Sequence, residues 1–268
     1  MIKYELKVVL KDKRFYIVLL LFITLMMYDL SLNHWSYFEA IDLHSRRDYT
    51  NLLQLGHPAH VSYLSATSIG HIAQMIIEWL LPIYILYIYG DHIIHERKSG
   101  YYNLLLLKSG KKWVIISKYI IAFFIGFIVM LIPLILNYIV SIFFFYGGKD
   151  FYGATLSDFP DHLVFAFSMK HPYIAYSIYI IVMSIISGGI SMFSIGLSCF
   201  LRQYRYLYLG CFLIWYLQII APNSITYATQ PFIEYDLPYI IPAILCFLGT
   251  SCICIIVGYI YSIKRDEL

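Results

Sequence analysis

Charge is what this 268-residue chain has little of: Asp, Glu, Lys and Arg make up 13% of it, against 60% hydrophobic residues. Ordinary soluble domains carry about 25% charged residues, so a water-soluble fold could not cover this apolar surface and the bilayer must be the solvent. Cysteine is sparse and badly placed for cross-linking. Cys199, Cys211, Cys246, Cys252 and Cys254 all lie inside hydrophobic runs. Without disulfide or zinc spacing they read as small apolar packing residues. Catalytic signatures are missing too. No GxxxxGK[ST] phosphate loop occurs, which excludes ATP binding by that route. No HExxH and no GxSxG occurs either. His92-x-x-His95-Glu96 matches neither zincin order, and His57-Pro-Ala-His60 reads as a solvated loop pair. Ser187-Gly188-Gly189 lacks a histidine in a later run to act as its base, so it reads as helix packing. There is no internal repeat, no low-complexity stretch and no cleavable signal pattern.

What the chain does have is long apolar runs. A spanning helix needs roughly 20 residues. Six runs qualify, near 15–32, 71–90, 115–145, 174–200, 206–221 and 239–262, the fifth stopping short at Pro222. The expectation is an all-α polytopic membrane protein forming a single domain, 1–268. Lysine and arginine set its orientation. Five precede the first run, six lie between the second and third, two between the fourth and fifth, and two follow the sixth; the alternate loops hold only Arg46, Arg47, Lys149 and Lys170. That distribution of 15 against 4 predicts both termini in the cytoplasm. The outer segments 33–70 and 146–173 are acidic and too short for a substantial independent domain. The terminal Arg-Asp-Glu-Leu would sit on the wrong side for a lumenal retention signal and reads as chance.

Two further features stand out at the cytoplasmic side. Over residues 1–14, Ile2, Leu6, Val9 and Leu10 share one helical face, while Lys3, Lys7, Lys11 and Arg14 share another. This predicts an amphipathic helix lying along the membrane surface. The loop 91–114 is short, basic and partly helical, the kind of segment through which a soluble partner can drive a membrane protein. Within the runs, Glu78 is the one acid well inside. It shares a face with Gln74 and His71 and sits about 10 Å deep at 1.5 Å per residue. Intramembrane acids are costly and face a cavity or a protein partner, so these three are pathway candidates, with a helix–helix contact as the structural alternative. Ser187, Ser191, Ser194 and Ser198 line a small-residue face suited to close packing.

With loop, topology and N-terminal helix in hand, the chain resembles the permease subunits of type-two ATP-binding-cassette exporters, the ABCG-like membrane domains. The pattern is an acid, a glycine about four residues on, a leucine-rich short helix, a basic pair, then a lysine opening the third span. It maps onto Glu96, Gly100, Leu104, Leu105, Leu106, Leu107, Lys111 with Lys112, and Lys118. The resemblance implies that this segment is the coupling helix entering a groove on an ATPase, and that residues 1–14 form the connecting helix. It also implies two separate ATPase subunits carrying ATP and Mg, and a second permease chain, identical or paralogous. This chain would then be a non-catalytic subunit in the bacterial cytoplasmic membrane, with no cofactor of its own and no nucleic-acid partner. Segment 222–238 is shorter than the pattern has it, so the re-entrant helices there would be reduced. Compact permeases of this plan export peptides, bacteriocins, antibiotics or lipid-like molecules and serve immunity. Two alternatives come from other classes. One is a non-transporting receptor or immunity protein binding a peptide through 33–70. The other is an intramembrane metalloenzyme built on His92, His95 and Glu96.

Overall fold

The computed structural model describes residues 2–44, 56–65, 72–151, 161–233 and 235–264, with the side chains of 2–4, Ile2 and Lys3 of the predicted amphipathic faces among them, and of 35–44 lying outside the description. Among the described residues there is no β-strand; a lone bridge joins Gly56 to Asp150. The chain runs α1 (Ile2–Lys11), α2 (Lys13–His44), α3 (Pro58–Val61), α4 (Ile72–Trp79), α5 (Leu81–Ile85) and a π-helical turn (Leu86–Gly90). It continues through α6 (His92–Lys98), α7 (Tyr101–Ser109), α8 (Lys111–Phe144), α9 (Leu163–Lys170) and α10 (Pro172–Phe200). It ends with α11 (Tyr204–Ile220), α12 (Thr226–Thr229) and α13 (Leu237–Lys264).

Among the described residues, four helices are long and apolar enough to cross a membrane: Lys13–His34, Lys111–Phe144, Pro172–Phe200 and Leu237–Lys264. The pair Ile72–Trp79 and Leu81–Lys98, bent by 54°, passes the same test together and brings the number to five if it counts as one span. Pro82 stands just after the break. It has no N–H to give to a continuing helix, so its place in the first turn of α5 is where it costs least. The run expected to span at 206–221 forms helix α11, whose 17 residues rise about 26 Å, short of the roughly 30 Å hydrocarbon thickness, and it is not among the helices long enough to cross.

Helix α10 is the axis of the bundle, packed between α8 and α13, with α2 on the far side of α8. Close approach is possible because the contact positions are small, as association in lipid requires. A Cβ at Gly126 would meet the Ser187 carbonyl oxygen at 2.6 Å, and one at Gly196 would meet that of Cys254 at 2.5 Å. Ser187, Ser191, Ser194 and Ser198 are fully buried on α10. Ser187 donates to the Gly126 carbonyl across the α8–α10 contact, while Ser194 turns back to its own helix at Ile190. Most of α13 faces outward, as a lipid-facing helix would.

The two ends of the bundle differ. One carries α1, α6, α7 and the starts of α8 and α11, and is rich in lysine and arginine; it is the basic end. At the other, residues 56–65 are buried throughout and fold in among the helices. Neutral hydrogen bonds hold them there. Asn33 Nδ2 donates to Val61, the Tyr63 N–H donates to Asn137 Oδ1, and the Leu64 N–H donates to the Tyr176 hydroxyl.

Candidate functional site

Helix α6 is seven residues long and presents charged side chains to four other elements. Its acid, Glu96, is 3% exposed, and Lys118 of α8 is completely buried beside it. The Lys118 ammonium lies 2.6 Å from Glu96 Oε2. It also donates to both oxygens of Glu5, at 3.2 and 3.3 Å, so it joins α6 and α1 through α8. Glu96 Oε1 faces His92 Nδ1 at 3.0 Å, one helical turn back, and His92 stacks on Tyr89 with ring centroids 5.4 Å apart. The Tyr89 hydroxyl closes the circuit by donating to Glu5 Oε2 at 2.8 Å. Two carboxylates, one ammonium, an imidazole and a phenol thus share one dry site. Removing the Lys118 ammonium would leave two carboxylates without a cation in low dielectric, which costs several kcal/mol.

The rest of α6 reaches outward from this hub. Arg97 donates to the carbonyls of Ser198 and Cys199, at 3.1 and 3.0 Å, where α10 ends. A cation there meets the negative end of the helix dipole and satisfies carbonyls that the helix itself cannot. Arg97 also lies over Tyr102 of α7, and Lys98 over Tyr204 of α11. Asp91, at the head of α6, pairs loosely with Arg14 of α2 at 3.8 Å and accepts from Tyr208 of α11 at 3.3 Å. The short helix, with Asp91 at its head, is therefore tied by side chains to α2, α8, α10 and α11, and through Lys118 to α1.

Beyond the hub the chain turns at Gly100, whose φ of +74° is left-handed and suits glycine, as the sequence predicts for a sharp turn there. The following leucines do not form one docking face. Leu105 is 8% exposed and packs inward, Leu106 is half-buried, while Leu104 and Leu107 stand 63% and 70% exposed. Trp113, at the start of α8, is 72% exposed. Lys111 donates to the Ile263 carbonyl near the end of α13 at 3.0 Å, and Lys112 is free in solvent. Of the amphipathic face predicted for α1, Val9 is buried, but Leu10 is exposed and the acid Glu5 takes its place at the contact.

The pathway candidates lie elsewhere. Gln74 and Glu78 are buried together on α4, near the 56–65 segment; His71 falls outside the described residues. Gln74 Nε2 donates to the carbonyls of Ser65 and Tyr63. The Glu78 backbone carbonyl accepts from Trp215 at 2.6 Å, while its Oε1 is buried with no hydrogen-bond partner among the described residues. Glu78 is not the only acid inside a run, as the sequence suggested. Asp29 of α2 is 1% exposed, and both acids act electrostatically on the Tyr63 hydroxyl.

Glu5, His92 and Glu96 have donor atoms within 4.8 Å of one another, the spacing of a three-ligand metal site. A metal ion would have to compete with the Lys118 ammonium, which already contacts both carboxylates, so the arrangement reads as an ionic joint. Two cavities open beside it. One, of about 230 Å³, is lined by Glu5, His92, His95 and Glu96 among others. The second, of about 280 Å³, is lined by Arg14, Asp91, His95, Tyr204 and Tyr208.

Comparison with known proteins supplies kinship. YybM, an uncharacterized protein of Bacillus subtilis (strain 168), is 37% identical over 213 residues, which are 79% of this chain and 84% of that protein. The chain belongs to the YybM family. No family model and no solved structure matches it. YybM kinship brings no assigned chemistry, so the function has to be argued from the hub and the surface beside it.

Proposed function

We propose that this YybM-family chain is the permease subunit of an ATP-driven exporter of the ATP-binding-cassette class. In this reading α11 is the sixth span, both termini and the basic end face the cytoplasm, and a second permease chain completes the pathway. Separate ATPase subunits supply the energy. The substrate class is an amphipathic peptide, antibiotic or lipid-like molecule, and the setting is a bacterial cytoplasmic membrane. The observation that carries the reading is the hub. Helix α7 leaves two leucines exposed, with Trp113 of α8 exposed just beyond it, and it is joined by one turn to α6, which with Asp91 at its head is tied to α2, α8, α10 and α11 and, through Lys118, to α1. A push on α7 is thereby delivered to α1, α2, α8, α10 and α11 together. That suits a rigid-body rocking of spans.

The structure sharpens where to test it. Leu104 and Leu107 are exposed, so Leu104→Asp with Leu107→Asp should remove partner contact while leaving the fold intact, whereas Leu105→Asp would strike the packed side. The expected result is that affinity purification in mild detergent, followed by mass spectrometry, recovers a soluble ATPase with the wild-type chain and loses it with the double variant. Recovery of the wild-type chain alone, under conditions that preserve a known transporter complex, would overturn the reading in favour of a receptor or immunity protein.

A further inference from the structure

The hub faces one of the two cavities at the basic end; the other has a different character. Its walls come from three elements: Arg14 at the head of α2, Asp91 and His95 around α6, and Tyr204 with Tyr208 at the start of α11. Arg14 is about half exposed and spends little of its hydrogen-bonding capacity, since its distance to Asp91 is 3.8 Å, beyond a hydrogen bond. Its guanidinium lies over Tyr87, 5.3 Å from the ring centre. Lys98, exposed, lies 4.2 Å from the centre of the Tyr204 ring that walls the cavity. Asp91 already accepts from Tyr208. Arg14 lines the cavity opposite one acid, with His95 and tyrosine hydroxyls beside it, and Lys98, outside the lining, adds a second cation against the Tyr204 ring. This is a donor-rich site for an anion, and a planar guanidinium suits a phosphate best.

The position of the cavity selects the source of that phosphate. One and two turns further along α2, Ile17 and Leu20 are 54% and 68% exposed; on α11, Leu209 and Leu213 are exposed as well. The α2 wall thus continues into exposed apolar surface, and the outer face of α11 is apolar too, while the rim carries tyrosines, which favour headgroup depth. Basic pockets between spans on the cytoplasmic side are suited to acidic headgroups.

We propose that this cleft binds the headgroup phosphate of an anionic phospholipid, with Arg14 and Lys98 as its cationic contacts and Tyr204 as the wall between them. The lipid would bridge α2 and α11 beside α6. The inference takes the basic end to lie at the inner leaflet, and it needs no ATPase, so its failure and that of the permease reading are separable.

The test uses the full chain purified in a neutral detergent. Phosphatidylglycerol is expected to raise the unfolding temperature more than phosphatidylcholine does. Arg14→Ala and Lys98→Ala should each remove most of that gain, while Lys264→Ala, which deletes an exposed charge elsewhere on the basic end, should keep it. Equal effects of the two lipids, or a full gain retained in the Arg14→Ala, Lys98→Ala double variant, would overturn the proposal. A shift reproduced by inorganic phosphate alone at the same concentration would overturn the lipid assignment in favour of a free-phosphate site. If Arg14→Ala does not fold, native mass spectrometry of the wild-type chain decides instead: retained phosphatidylglycerol in excess of its share of the source membrane supports the site, and its absence refutes it.

Discussion

At the basic end, Glu5, Glu96, Lys118 and His92 meet in a dry joint, and the helix that carries two of them also sends charges to α2, α10 and α11. At the other end, residues 56–65 are just as buried, yet their ties are neutral: asparagine, serine, glutamine and tyrosine side chains bonded to backbone. Ser62 and Ser141 share a hydroxyl contact of 2.6 Å, and Asn137 spans between the Tyr63 N–H and the Met26 carbonyl. The difference has a physical reading. Neutral hydrogen bonds close an end cheaply, because each group costs little to desolvate once paired. Charged pairs are expensive to bury and sensitive to any displacement of a partner. A joint of that kind suits an end that receives a push, and a neutral seal suits one that has to open.

The largest expected effect is therefore at the joint. Lys118→Met should destabilise the chain by about 3–5 kcal/mol, because Glu5 and Glu96 are then both buried without a cation. Thermal unfolding in detergent measures it. Adding Glu5→Gln and Glu96→Gln to the same chain should return most of the loss, since the site then holds no charge to compensate. If Lys118→Met alone is harmless, the joint is not dry and the contrast between the two ends fails.

A smaller and more local effect is expected at the seal. Asn137→Ala strands the Tyr63 N–H, at about 1–3 kcal/mol for a buried group left unpaired, while the Met26 carbonyl keeps its bond within α2. Amide exchange should speed up across 58–65 while α6 and α7 keep their protection. Exchange that rises equally at both ends would mean that the ends are not independent.

Much of this was open to a reader of the sequence, and what was not has identifiable causes. Glu96, Gly100 and the exposed leucines stood out because charge and glycine are conspicuous against an apolar background. The four consecutive leucines have no periodicity of their own, so only the packing of α7 against α6 shows that Leu104 and Leu107 point out and Leu105 points in. Glu5 was hidden among the lysines of an amphipathic helix. Its partner is 113 positions away, and no local pattern announces a pair at that separation. Lys118 was legible as the lysine that opens a span, and its complete burial was not. Asp29 sits near the end of the first run, where depth in the bilayer and proximity to the end are hard to tell apart. The run at 71–90 was found, but the 54° break inside it depends on how Leu80 and Pro82 sit against neighbouring helices.

The smallest expected effect near neutral pH separates the two ends by proton chemistry. His57 and His60 both stand in the sealed segment, and burial pushes each from the ordinary value near 6.5 down to about 4. His57 Nδ1 accepts the Ala59 N–H at the start of α3, and its ring stacks on Phe151 at 4.9 Å; His60 meets Phe151 and Phe232 edge-on. A proton on His57 would abolish that acceptor and place a charge among aromatic rings. Between pH 6.5 and 4 the released segment binds more protons than the packed one, so the seal weakens as pH falls through that window and is unaffected above it. Amide exchange of 56–65, corrected for its intrinsic pH dependence, should rise on acidification across this range. His57→Asn, which keeps a capping acceptor but cannot titrate, should flatten part of that slope. A slope unchanged in His57→Asn with His60→Asn would place the acid sensitivity outside this segment, and the seal would then owe its closure to the asparagine and serine bonds alone.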